Sequence, residues 1–158
     1  RIREDPQLQE TRDEPQLDGA NALIVGYGRF GQTVAQILTA ADVKVSMIDT
    51  VHKKTAFLTQ VKAELGLANV TVYTKRVEQL EVAQKFDVIT SRAFADLSDF
   101  VNWSGHVLEE GGQFIALKGV APPDERERLP AEWRVTELRA IAVPGLNAER
   151  HLVFIARI

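Results

Sequence analysis

Three glycines and one acid carry the first recognisable chemistry in the sequence. Gly26, Gly28 and Gly31 form the string GYGRFG, spaced as G-x-G-x-x-G, and Asp49 stands eighteen residues beyond Gly31. In that spacing Gly26 makes a tight turn, Gly28 lets the backbone approach a pyrophosphate, and Gly31 lets a helix lie close on its strand. The N–H groups that open this helix, around Arg29 and Phe30, then face the phosphate. A carboxylate at Asp49 accepts the hydroxyls of a ribose. The chemistry implied is binding of a nucleotide. The plainer alternative is a set of glycines that only pack a turn and an acid that only ends a strand.

Such a turn works only between a strand and a helix, and the flanking residues supply both. Ala22–Val25 reads as a strand, and Phe30–Ala40 reads as a helix with Phe30, Val34, Ile37 and Leu38 on one face. Val43–Ile48 reads as the next strand. Lys53–Leu65 follows as a helix with Phe57, Leu58, Val61 and Leu65 inward and Gly66 at its C-cap. Val70–Tyr73 is a third strand, a short helix lies near Val77–Val82, and Phe86–Thr90 is a fourth strand. Leu97–Leu108 is a helix closed by Glu109–Gly112, and Gln113–Leu117 is a fifth strand. Strands alternating with helices predict an α/β fold with a doubly wound, parallel, Rossmann-like sheet in three layers, strand order 3-2-1-4-5. The tail breaks the alternation. Trp133–Val143 and His151–Ile158 are extended runs joined by a turn at Pro144–Asn147, which predicts an antiparallel hairpin beyond the fifth strand. Dinucleotide-binding domains do not usually end this way, whereas class I methyltransferases do.

Composition bounds the rest. The 158 residues are 45% hydrophobic, enough for one domain with a real core. No apolar run approaches the roughly 20 residues that span a bilayer, and no signal peptide precedes the domain, so a cytoplasmic protein without membrane contact is expected. Cysteine is absent, which removes disulfides, thiol nucleophiles and cysteine zinc sites. His52, His106 and His151 are scattered, and no metal is implied. Residues 1–20 are polar, carry three Arg and six Asp or Glu, and echo themselves as EDPQL and DEPQL, which reads as a linker or arm. Residues 21–158 balance sixteen basic against sixteen acidic side chains. A neutral body offers no overall attraction to RNA, so RNA is not expected as a partner and the domain is expected to be a monomer.

Two resemblances divide the chain. Residues 1–50, through LIVGYGRFGQTVAQIL and the strand ending in Asp49, resemble the KTN or RCK nucleotide-binding domain of Kef-type potassium efflux antiporters. That likeness implies NAD(H) or AMP as ligand. Residues 51–158 resemble the RsmG family of methyltransferases, through KKTAFLTQVKAELGL, KRVEQL, ITSRAFADL, FIALKG and AERHLVFI. That likeness implies methylation of a guanine N7 in small-subunit (16S) ribosomal RNA. It assigns Arg76 and Glu78 to the adenine side of a cofactor pocket, and Arg92, Lys118 and Arg150 to the RNA. Such a family carries an acid at the end of strand 1 and a D-x-G-x-G-x-P-G loop, where this chain has Ile24 and GYGRFG.

The resulting expectation is a single engineered, chimeric Rossmann-like domain over residues 21–158 with a seam near residues 49–51, in which the first βαβ portion of one such fold replaces that of another. It would bind an adenine nucleotide through GYGRFG and Asp49 without robust catalysis, because the loop that should hold methionine is replaced by one shaped for phosphate. S-adenosylmethionine ranks behind NAD and AMP as ligand. Two alternatives stay open, an S-adenosylmethionine-dependent rRNA methyltransferase and a ligand-free scaffold.

Overall fold

The computed structural model describes residues 20–26, 42–91, 96–119, 123–141 and 150–158. The polar arm expected at residues 1–20, apart from residue 20, the helix expected at residues 30–40 and the turn expected at residues 144–147 lie outside this set. Seven strands form one sheet: β1 (Asn21–Val25), β2 (Lys44–Asp49), β3 (Val70–Thr74), β4 (Phe86–Ser91), β5 (Leu108–Lys118), β6 (Trp133–Ile141) and β7 (Arg150–Arg157). Their order is β3-β2-β1-β4-β5-β7-β6. Strands β1 to β5 are mutually parallel, while β7 runs antiparallel to β5 and β6 antiparallel to β7. The predicted order and closing hairpin are both present. No described helix is long and apolar enough to cross a membrane.

The central strands are buried on both faces, as parallel strands covered by helices must be. Leu23 and Ile48 point to one side, into a cluster with Phe86, Phe100, Phe114 and Trp133. Ile24, Val45 and Met47 point to the other, against Leu58. Two clusters on opposite faces make the three layers.

Helix α1 (His52–Leu65) covers the second face and closes on Gly66. Of its four expected inward residues only Leu58 is buried; Phe57 is 47% and Leu65 is 54% exposed. The helix is anchored instead by Thr55, whose hydroxyl lies 2.7 Å from that of Thr74 on β3. With Thr55 and Leu58 inward, Phe57 is turned about 100° away from Leu58. Leu67, past the turn, joins the cluster in place of Leu65.

Helix α2 (Leu97–Ser104) covers the first face and is shorter than predicted. Asp96 caps it by accepting a bond from the Ser98 N–H at 2.9 Å, and Leu97, Phe100, Val101 and Ser104 form its buried stripe. One 3₁₀ turn follows at Gly105–Val107, and β5 already begins at Leu108. The residues expected to end the helix, Glu109–Gly112, instead form an irregularity inside β5, where pairing jumps from Phe86 with Leu108 to Val88 with Gln113. Gly112 is required there: a Cβ would sit 2.8 Å from the Asp87 carbonyl and 2.9 Å from that of Glu109. Phe114 then stacks edge-on between Phe100 at 4.8 Å and Trp133 at 5.2 Å, tying α2, β5 and β6 together. Helix α3 (Pro123–Glu127) links β5 to β6.

Candidate active site

Strand order reverses direction between β1 and β4, and in open α/β sheets the crevice beyond the carboxyl ends at such a point receives the ligand. A cleft of about 230 Å³ lies there, bounded by Gly26, Ile48, Asp49, Arg76, Glu78 and Trp103. Gly26 follows β1 at φ 89°, a conformation that side chains rarely adopt, and its N–H donates to the Ile48 carbonyl at 2.9 Å. This bond brings the turn after β1 against the end of β2. Asp49 ends β2 with its Oδ1 fixed by the Val51 N–H at 2.9 Å, and its carbonyl accepts from the Lys75 N–H at 3.1 Å. Arg76 and Glu78 flank the entry to the 3₁₀ turn at Val77–Gln79, with Arg76 Nε 3.8 Å from Glu78 Oε1. At 68% exposure of Arg76 that pair is a weak surface contact.

A second group lies along the same edge of the sheet. Lys118 ends β5, and because β7 runs antiparallel its first residues return to that point: His151 is the register partner of Lys118, with Arg150 next to it. The Lys118 ammonium is 2.9 Å from Glu125 Oε1 on α3. His151 Nδ1 is buried and without a hydrogen-bond partner among the described residues. Asp49 on β2 and Lys118 on β5 are three strand spacings apart, about 14 Å. The edge thus carries a cleft of mixed charge over β1 to β3, lined by Asp49 and Glu78 together with Lys75 and Arg76, and a second group with Lys118, Glu125 and His151 over β5 and β7.

Of the site residues expected from sequence, Gly26, Asp49, Arg76 and Glu78 converge on the cleft, while Lys118 and Arg150 lie on adjacent strands at the same edge of the sheet. Gly28, Arg29, Phe30, Gly31 and Arg92 lie outside the described residues; Arg92 directly follows Ser91, the last residue of β4. Sequence reasoning missed Trp103 and Glu125. Trp103 stands off the buried stripe of α2 and is 42% exposed, and an aromatic displaced from an apolar stripe was the available signal. Glu125 lies in a charge-rich stretch that reads only as a break between elements.

A family model described as rRNA small subunit methyltransferase G, GidB, matches residues 34–153. The chain belongs to this methyltransferase G family. A member from Janthinobacterium sp. (strain Marseille) is 65% identical over 141 residues, covering 87% of this chain and 64% of the relative. One from Cupriavidus pinatubonensis is 48% identical over 160 residues, covering 96% and 68%. The chain therefore spans a little under two thirds of the length of its Janthinobacterium relative. Among solved structures, TrmN from Thermus thermophilus aligns with a TM-score of 0.71 at 16% identity, over 96% of this chain and 46% of that one. An S-adenosyl-L-homocysteine complex of a methyltransferase from Thiobacillus denitrificans aligns with a TM-score of 0.64 at 12% identity, over 89% and 86%. These two likenesses show the fold.

Membership in the methyltransferase G family corrects three expectations. The match to residues 34–153 runs through residues 49–51 without a break, and residues 51–158 alone could not cover 87% or 96% of the chain. The reading as an engineered nucleotide-binding chimera without turnover is overturned. NAD or AMP as the ligand falls with it, since the family is one of methyltransferases. The physical reason is that both folds use a glycine turn after β1 and an acid after β2, so some twenty residues of this unit do not separate them. The expectation against RNA is corrected by a family named for ribosomal RNA. Net charge averages over the whole body, whereas Lys118 and Arg150 are concentrated at one edge.

Proposed function

We propose that residues 21–158 form the S-adenosylmethionine-binding domain of an rRNA methyltransferase acting on a guanine N7 of the small-subunit RNA. The observation that carries this reading is the 65% identity to a ribosomal RNA small subunit methyltransferase G across 87% of the chain. The donor set of the cleft fits the cofactor: a carboxylate at the end of β2 suits a ribose, and Gly26 at φ 89° leaves the turn after β1 bare of a side chain. S-adenosylmethionine, when bound, supplies an electrophilic methyl group.

The protein's own part is positioning. Asp49 holds the ribose hydroxyls, with its carboxylate kept in place by the Val51 N–H. Arg76 and Glu78 border the adenine end, and Trp103 covers the cleft from α2. Gly26, which follows β1, borders the cleft where the rest of the cofactor would lie, and Gly28, Arg29, Phe30 and Gly31 are proposed as further cofactor contacts. Lys118, Arg150 and Arg92 contact the RNA or the target guanine, for which ammonium and guanidinium groups are suited.

The test has two arms. S-adenosylmethionine and S-adenosylhomocysteine are expected to raise the melting temperature while NAD and AMP leave it unchanged, because a ligand of the folded state alone stabilises it. Labelled methyl is expected to pass from S-adenosylmethionine to unmethylated small-subunit RNA. A shift with NAD or AMP only, or no transfer above a no-protein control, refutes the proposal.

A further inference from the structure

Lys118 is held more firmly than a surface lysine. Its Nζ donates to Glu125 Oε1 at 2.9 Å, and the two side chains are only 14% and 15% exposed. An ion pair shielded to this extent differs from the exposed pairs whose geometry solvent and entropy erase. The element that presents Glu125 is itself tied down. Arg128, just past α3, places Nη2 2.9 Å from Asp96 Oδ2, and its carbonyl accepts from the Ser98 hydroxyl at 2.8 Å. Asp96 in turn caps α2 through the Ser98 N–H. A continuous set of polar contacts thus runs from the start of α2, through Arg128 and α3, to the ammonium at the end of β5.

A lysine stem is long and flexible, and its ammonium carries three donors. A carboxylate that takes one of them fixes where the group sits and leaves the ammonium its charge. We propose that Glu125 is a positioning residue for Lys118: it pins the ammonium at the end of β5, where His151 is the register partner of Lys118, so that the RNA meets it in one place. This inference rests on the reading of Lys118 as an RNA contact.

The test uses the full chain, unmethylated small-subunit RNA and saturating S-adenosylmethionine, with Lys118→Ala, Glu125→Ala, Glu125→Gln and the Lys118→Ala/Glu125→Ala double variant. Glu125→Ala is expected to lower kcat/KM for RNA about tenfold, as a misplaced contact does, with the affinity for S-adenosylhomocysteine unchanged. Glu125→Gln, whose amide oxygen still accepts from Nζ, is expected to keep most of the parent value. In the Lys118→Ala background the loss of Glu125 should cost nothing further. Independent, multiplying losses would overturn the inference, as would tighter RNA binding by Glu125→Ala, the mark of a carboxylate that masks the lysine. A folded Glu125→Gln as impaired as Glu125→Ala would also overturn it. An active parent with an unimpaired Lys118→Ala overturns it while leaving the methyltransferase reading intact; a parent that transfers no methyl sinks both.

Discussion

At the scale of single residues, the cleft depends most on Asp49. The carboxylate is already bonded to the Val51 N–H, so its position is set before a ligand arrives. A charge-assisted hydrogen bond contributes ~1.5 to 3 kcal/mol. Asp49→Ala is therefore expected to weaken S-adenosylmethionine by roughly one to two orders of magnitude. Stability should change little, since the residue is half-buried at a strand end. Calorimetric titration of the cofactor into both proteins measures this, and equal affinities would show that the ribose is held elsewhere.

At the scale of elements, two local devices decide how the sheet edge is built. Asp96 caps α2 and pairs with Arg128, and the Ser98 N–H, aided by Arg128 and only partly opposed by burial, lowers its carboxyl from the ordinary value. A folded-state value below the unfolded one gives stability that is fully present above the unfolded value of about 3.9. It is lost as the pH falls through the lower folded value. Asp96→Ala should cost about 1 kcal/mol at pH 7, and urea unfolding should find the gap to the parent shrinking below pH 4. A constant gap would mean that the cap acts without its charge. Gly112 is the second device, because backbone carbonyls crowd the place where a Cβ would sit. Gly112→Ala should lower stability by about 1 to 3 kcal/mol, read as an earlier urea midpoint, and an unchanged midpoint would show that β5 yields at this point.

At the scale of the whole molecule, charge is local and not global. The body from residue 21 to residue 158 is neutral, yet Lys118 and Arg150 share one edge with the end of β4 that leads to Arg92. Three cations releasing counterions from a single strand predict a slope of log K against log salt of about −2. RNA binding measured from low to physiological salt should show this shallow dependence. A slope steeper than about −5 would place further phosphate contacts outside this edge.

The sequence by itself determined the order of the seven strands, because hydrophobic alternation acts over a few residues, but the short helix α3 read only as a charge-rich break. Asp49, named from its spacing, and Lys118 and Arg150, named from a family resemblance, fall along one edge of the sheet. The sequence could not separate a nucleotide-binding unit from a methyltransferase unit over residues 1–50, since both folds place a glycine turn after β1 and an acid after β2 for the same geometric reason. The ends of elements also escaped it. Leu108 pairs with Phe86 and so begins β5 where helical spacing continued, and Phe57 is turned outward because Thr55 bonds to Thr74. Only the tertiary structure joined Glu125 to Lys118 and brought Trp103 to the cleft. Those contacts cross from one element to another, and their partners are chosen by how the layers pack, not by neighbours along the chain.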